Sequence, residues 1–293
     1  MNTAPFGRRL LEVSASERHG AYTVLSVADP GASDPEPGQF AMLAAAERWG
    51  GGGQDRPFLP RAFSIMRRRD GASHYLLEDV GPGTRRLCEL RAGEDIWVTG
   101  PLGRGFGLPA PGQRPILVGG GVGIAPLAIL QDALDGSVDG VNPVVGDGPV
   151  DGVNPVVGDG PVVLLGFRDG ARAQGAALLN GAQLATDDGS YGHNGLVTEL
   201  LVDELDEAAR AGVEPIVYSC GPAPMLEAVR ALCAERAVPA QLALEAGMAC
   251  GYGACFGCVV PRRDGSYLRV CLDGPVVDAA ELSHVDAHAG APA

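Results

Sequence analysis

Four of the seven cysteines of this chain fall in one stretch, MACGYGACFGCVVPRRDGSYLRVC, from Met248 to Cys271. Their spacing is Cys250-x4-Cys255-x2-Cys258-x12-Cys271. Thiolates are soft metal ligands, and the first three positions match the plant-type spacing of a [2Fe–2S] cluster held by four cysteines. The interleaved glycines let the backbone fold tightly and turn N–H groups toward negatively charged sulfides. A four-cysteine zinc site is the other reading, but such sites usually pair two C-x2-C knuckles and only one is present. Four unrelated buried thiols are disfavoured by the clustering. Cys88 and Cys233 lie on expected helices and read as core residues.

Four further segments have chemistry-bearing patterns. RAFSI, Arg61 to Ile65, sets an arginine and a serine three residues apart on a strand, so they face opposite ways unless the chain bends. GPGT ends in Gly83 and Thr84 at a helix start, where free N–H groups and the helix dipole favour a phosphate. LVGGGVGIAPL, Leu117 to Leu127, puts Gly119, Gly120, Gly121 and Gly123 between a strand and a helix, where a dinucleotide can approach the backbone. Its companion YSCGPAPM places Cys220, Gly221 and Pro222 at the C-terminal rim of a strand, with a buried strand-capping cysteine as the plain alternative. His284 and His288 sit in an Ala/Asp-rich tail and read as solvated, while His193 lies in a glycine-rich loop. No Ser-His-Asp or H-E-x-x-H arrangement supports hydrolysis.

These residues need elements to hold them. Up to about residue 112 the chain reads as short strands, LLEVSA, AYTVLSVA, FAMLAA, RAFSIMRR, SHYLLEDV and DIWVTG, interrupted by one helix from Thr84 to Leu90. Such spacing predicts an antiparallel β-barrel over 1–112. From Pro115 strands and helices alternate: PILV, VVLLGF, AQLAT and PIVYSC against helices beginning in IAPLAILQDAL, ARAQGAALL, LVTELLVDEL and PMLEAVRALCAE. That alternation predicts an α/β domain with a parallel sheet over 113–240, followed by a small cysteine-bearing module over 241–293. The fold class expected is α+β and multidomain. A perfect tandem repeat, DGVNPVVGDGPV at Asp139–Val150 and Asp151–Val162, is too short for a solenoid and reads as an inserted surface loop.

Composition narrows the function classes. The 293 residues suit two domains with an appendage, and 46% hydrophobic with 20% charged residues is ordinary for a globular chain. With 22 basic against 36 acidic residues, the net charge of -14 opposes binding to nucleic acid or to an anionic membrane surface. The N-terminus lacks a signal-peptide core, and the longest uncharged run, Pro115 to Leu130, is too short and glycine-rich for a membrane span. Reduced thiols and a cytoplasmic location are therefore expected.

Taken in order, these motifs resemble the ferredoxin–NADP reductase superfamily. More closely they resemble the electron-transfer subunits of the NAD-dependent, type B dihydroorotate dehydrogenases. The resemblance is carried by ATDDGSYGHNGLVT (Ala185–Thr198), CGPAPM, LEAGMACGYGACFGCVV and VCLDGPVVDA (Val270–Ala279), and it spans the chain except the duplicated loop. It implies an FAD on the barrel, with Arg61, Ala62, Phe63 and Ser64, then Leu76, Leu77 and Glu78, then Gly83 and Thr84. It implies a nicotinamide nucleotide at Gly119 to Gly123 and Cys220 to Pro222, and a [2Fe–2S] cluster on Cys250, Cys255, Cys258 and Cys271. Ser64 and Cys220 would shape the hydride-transfer pocket without acting as nucleophiles. Two residues depart from the family: Ala62 stands where proline is usual, and Glu78 where a basic or neutral residue is commoner.

The implied function is electron transfer from a separate FMN-containing catalytic subunit, which oxidises dihydroorotate, to NAD+ in pyrimidine synthesis. The implied assembly is a heterotetramer. NAD is implied by resemblance, while Arg168 and Arg172 near the end of VVLLGF are candidate contacts to a 2′-phosphate and leave NADP open. The alternatives are a stand-alone NAD(P)H-dependent reductase for another redox partner, and a zinc-stapled nucleotide-binding regulator.

Overall fold

The computed structural model describes residues 7–50, 57–135 and 160–285, and the backbone of a two-residue strand, β1 (Thr3–Ala4). Residues 136–159, most of the duplicated segment, lie outside the described residues, as does His288.

Short strands rich in β-branched and aliphatic residues open the chain. They are β2 (Arg8–His19), β3 (Tyr22–Ala28), β4 (Phe40–Ala45), β5 (Arg61–Arg69), β6 (Ala72–Glu78) and β7 (Asp95–Leu102). They run antiparallel in the order β2-β3-β6-β5-β4-β7, and β7 returns to pair with β2, so the sheet closes into a barrel as expected. Closure removes the open edges that short strands would otherwise expose. The barrel is filled by Val13, Leu25, Leu43, Ile65, Tyr75, Leu77, Ile96 and Val98.

The helix expected from Thr84 begins two residues earlier, as α1 (Pro82–Cys88). Proline suits the first turn, where no N–H is needed. The Thr84 hydroxyl reaches back to accept from the N–H groups of Val80 and Gly81, at 2.9 and 3.0 Å.

The second sheet is built from β8 (Arg114–Gly120), β9 (Val162–Phe167), β10 (Ala182–Thr186), β11 (His193–Asn194), β12 (Pro215–Cys220) and β13 (Ala240–Ala243). The chain ends in a hairpin, β14 (Val259–Pro261) with β15 (Tyr267–Arg269), and a last strand, β16 (Val276–Asp278). The order is β11-β10-β9-β8-β12-β13-β16, parallel except for β16 on the edge. The helices are α2 (Ile124–Leu134), α3 (Gly170–Ala173), α4 (Val197–Ala211), α5 (Ala223–Glu235) and α6 (Val270–Asp273).

The helix expected over ARAQGAALL is only α3 followed by a 3-10 turn, Gln174–Leu178. Gly175 lies flat against the Tyr22 ring, where a Cβ would come within 2.7 Å of it. The sheet also runs past the boundary expected at residue 240, because β13 starts there and β16, from the cysteine-bearing segment, pairs with it. The C-terminal segment is thus stitched into the sheet it follows.

The barrel is the hub of the molecule. Met66, Leu76 and Phe106 pack with Leu117, Ile124 and Tyr218 of the sheet unit. Arg67 and Arg69 both pair with Asp132 on α2, at 2.8 and 3.0 Å. On another side Phe40 and Met42 share a core with Cys258, Val270 and Cys271. Among the described residues no helix is long and apolar enough to cross a membrane.

Candidate functional site

The sheet unit places its two glycine motifs side by side. From β8 the chain moves outward through β9 and β10, then returns across β8 to β12. The order therefore reverses between β8 and β12, and open α/β sheets bind ligands at such a switch point, beyond the strand ends. Gly119 pairs with Cys220 across that junction. The expected glycines differ in what they do. Gly119 is close-packed, with Leu165, Leu127 and Ile124 within 3.2 Å of a Cβ position. Gly121 has a φ of +56° and open space around it, so it is where a ligand can meet bare backbone.

Gly123 presses on the Cys220–Gly221 peptide, where a Cβ would sit 2.4 Å from the Cys220 carbonyl. Backbone on both sides cannot give way. Gly123→Ala is expected to cost roughly 1–3 kcal/mol, the usual penalty for overpacking, read as a lower denaturant midpoint at unchanged slope. Cys220 is buried at the rim, and its thiol is pushed well above the usual range, by burial first and by the nearby Glu245 carboxylate second. It stays protonated at neutral pH, which suits a shaping role and not a nucleophile.

On the barrel, the β4–β5 ladder is regular from Leu43–Arg61 to Phe40–Ser64, and the register shifts only between Ile65 and Arg67. No bend falls between Arg61 and Ser64, so alternation sends Arg61 and Phe63 to one face and Ala62 and Ser64 to the other. Phe63 packs on the barrel interior, whereas Ala62 packs on the core shared with the cysteine segment.

Arg61 lies at the start of α1. Its guanidinium covers Gly83 so closely that a Cβ there would be 2.7 Å from Nε. Among the described residues it meets no carboxylate, only the Leu59 carbonyl at 2.7 Å and the Trp49 ring, whose centroid is 6.0 Å from Cζ. The Trp49 indole N–H is buried and has no partner among the described residues. An unpaired cation, an orphaned donor and a glycine cradle at a helix start fit a phosphate-bearing ligand. Leu76 and Leu77 are buried in two different cores, which leaves only their backbone for a ligand. Glu78 turns its carboxylate to Arg172, whose Nε donates to it at 2.9 Å.

The four clustered cysteines converge in two pairs. Burial pushes the Cys250 thiol up, but the amides of Tyr252, Cys255 and Ala254 and the Cys255 side chain outweigh it and bring it down to about 7. Cys271 is pushed up to about 12, by burial first and then by Cys258, while the Gly253 amide pulls the other way. The Gly257 N–H lies 3.4 Å from the Cys255 sulfur. Amides of this glycine-rich loop therefore lie against cysteine sulfurs. Four thiols in this order suit a two-iron cluster, which takes two cysteine sulfurs on each iron.

The cysteine loop leans directly on the barrel. Gly251, at φ +80°, approaches Met42 so closely that a Cβ would be 2.5 Å from its Cγ. Met42 in turn pairs with Ala62 of β5. Trp49, Met42 and Glu245 were not singled out from sequence. Trp49 sits in a glycine-rich loop without periodicity, and Glu245 follows β13, a strand too short and mixed to be recognised. Met42 had a signal, since it lies on a strand one residue pair from RAFS.

A family model described as the iron-sulfur cluster binding domain of dihydroorotate dehydrogenase B matches residues 245–283. Among solved structures, the NADH-dependent reduced ferredoxin-NADP oxidoreductase shares the fold at a TM-score of 0.72 and 23% identity, over 94% of this chain and 90% of that one. A ferredoxin NADP+ reductase from Neisseria gonorrhoeae, with bound FAD and NADP, superposes at a TM-score of 0.56 and 16% identity, over 78% and 91%. The chain is 34% identical over 85% of its length to the dihydroorotate dehydrogenase B (NAD(+)) electron transfer subunit of Caldanaerobacter subterraneus subsp. tengcongensis, covering 87% of that protein. It is 36% identical over 84% of its length to the same-named subunit of Geobacillus thermodenitrificans, covering 86% of it. At this similarity over nearly all of both chains, the protein belongs to the family of dihydroorotate dehydrogenase B (NAD(+)) electron transfer subunits.

Proposed function

We propose that this chain passes electrons from an FMN-bearing subunit that oxidises dihydroorotate to NAD+, in the cytoplasm, as part of a heterotetramer serving pyrimidine synthesis. Cys250, Cys255, Cys258 and Cys271 hold a [2Fe–2S] cluster. Arg61, Gly83 and Thr84 hold the pyrophosphate of an FAD, with Ala62 and Ser64 on the strand face toward the cluster. Gly121 and the Cys220–Pro222 turn receive the nicotinamide nucleotide. When bound, a flavin supplies the exchange between single electrons and hydride pairs that neither a cluster nor a nicotinamide can make alone.

The observation that carries this reading is the contact of Gly251 with Met42, the ladder partner of Ala62. It brings the cysteine loop onto β4, the neighbour of the strand that would carry the flavin. The Gly121–Gly123 turn lies against β6 of the same barrel. Three binding regions therefore meet around one set of strands. Cys220, protonated and buried, and Ser64 shape the pocket between them.

The test is reconstitution with the FMN-bearing subunit. Dihydroorotate-dependent reduction of NAD+ by the pair, with iron and FAD both recovered from this chain, is expected. Zinc in place of iron, or NADH oxidation without any dihydroorotate coupling, would overturn the reading in favour of a regulator or a stand-alone reductase.

The exposed side of the cysteine segment supports a partner there. Tyr252, Phe256, Val259, Tyr267 and Leu272 are large apolar residues open to solvent beside the exposed Cys255. Aromatic anchors at the centre of an interface are worth about 2 kcal/mol or more each. Phe256→Asp is therefore expected to weaken association with the catalytic subunit more than tenfold, measured by titration calorimetry.

A further inference from the structure

We propose that Arg269 tunes the cluster of the cysteine segment, its guanidinium making that cluster easier to reduce by holding a fixed positive charge over the cysteine loop. This rests on the ligand set given under Proposed function. The reduction potential of an iron–sulfur cluster follows its net charge, the hydrogen bonds to its sulfurs and its exposure. Uptake of one electron makes the cluster more negative, so a nearby fixed cation favours the reduced form. The whole chain carries a net charge of -14, so a cation at this place runs against the average of its surface.

The hairpin brings this arginine there. Arg269 ends β15 and pairs with Val259, the residue after Cys258. One residue on, the Val270 N–H donates to the Cys258 carbonyl at 3.0 Å, and Cys271 follows. Arg269 thus stands between two of the cysteines, and its side chain extends toward a third. Its Cζ is 5.1 Å from the centroid of the Phe256 ring, and Phe256 directly follows Cys255. The other two arginines of the segment lie at the far end of the hairpin. There Arg262 pairs with Glu281 at 3.4 Å, and the Arg263 N–H donates to the Glu281 carbonyl at 2.8 Å.

The contact is kept against a local cost. Phe256 has a φ of +57°, in the left-handed region that glycine takes freely and bulky residues avoid. Backbone held in such regions clusters at functional sites. The ring lies beside the guanidinium, whose side chain is 34% exposed, so this charge is screened less than one in open solvent. Its carboxylate neighbour is a loose one. Asp273 accepts from the Arg269 N–H at 2.8 Å, but the same Oδ2 stays 3.9 Å from Nε. Asp273 therefore offsets the cation only in part and acts on the cluster with the opposite sign.

The test is a potentiometric titration of the complete, iron-loaded chain with dithionite and mediator dyes, the reduced cluster being read by electron paramagnetic resonance. At the midpoint of the unaltered protein, Arg269→Gln is expected to lower the ratio of reduced to oxidised cluster about three- to tenfold, a fall of about 30–60 mV at 59 mV per tenfold. Arg269→Lys keeps the charge and should restore most of that ratio. Asp273→Asn should move it the other way. Phe256→Leu, which frees the guanidinium to swing into solvent, should lower it by less than Arg269→Gln does, and carries the test if Arg269→Gln does not retain iron. An iron-replete Arg269→Gln with an unmoved midpoint overturns this inference alone. So does an Arg269→Lys that falls as far as Arg269→Gln, or an Asp273→Asn that shifts in the same direction, since either would mark a structural and not an electrostatic effect. An unaltered chain that takes up no iron overturns the cluster itself, and this inference with it.

Discussion

Cys271→Ser is expected to lose its cluster and to slow electron transfer from the reduced catalytic subunit to NAD+ by more than about 100-fold. Altering even an outer partner of a metal ligand costs about 10–100-fold in affinity, and here one of the four proposed ligands is itself replaced. Serine brings a hard oxygen that remains protonated at neutral pH, where the iron needs a soft thiolate. Cys271 is 1% exposed, so the serine cannot be replaced by another donor from solvent. It stands at the start of α6, facing Cys258 from the other side of the cysteine loop. Iron content and the visible spectrum should fall together, while FAD stays bound because Arg61 and Gly83 belong to the barrel. A variant that keeps its iron and its coupled rate would remove Cys271 from the ligand set.

The second large effect is expected at the phosphate corner. Arg61→Met should weaken FAD binding by about 10–100-fold, since hydrogen bonds to charged groups are worth about 1.5–3 kcal/mol and each 1.4 kcal/mol is tenfold. Methionine keeps much of the aliphatic length over Gly83 but removes the cation. Arg61 meets no carboxylate among the described residues, so its loss strands no buried partner charge. FMN lacks the second phosphate and the adenosine, and its binding should change less than that of FAD. Titration of the flavin-free chain with both flavins, followed by fluorescence, checks the difference. Equal weakening for both would place Arg61 at the ring end instead.

Much of the fold was legible because the strands are short, bounded by Gly, Pro and Asp, and close to their observed ends. FAMLAA, VVLLGF, AQLAT and PIVYSC coincide with β4, β9, β10 and β12. Where the reading failed, tertiary packing overrode local pattern. ARAQGAALL has helical composition, yet Gly175 must lie on Tyr22, so the helix gives way to a tighter turn. β13 and β16 carry only four and three residues, too few to show a period, and exist because each finds a neighbouring strand.

The sequence by itself determined what could bind: four thiols at a spacing that only a tight glycine loop can serve, and glycines where a strand turns into a helix. Local spacing suffices there, because the chemistry is confined to a few bonded neighbours. Only the tertiary structure decided which of these regions touch. Gly251 meets Met42, Gly123 meets Cys220, and Glu78 closes on Arg172 across 94 positions of chain. Such contacts depend on how a closed barrel and a reversing sheet bring distant segments together, and no periodicity along the chain encodes that meeting. The same is true of charge: Arg168 and Arg172 look alike in sequence, and only in space does Arg172 meet Glu78.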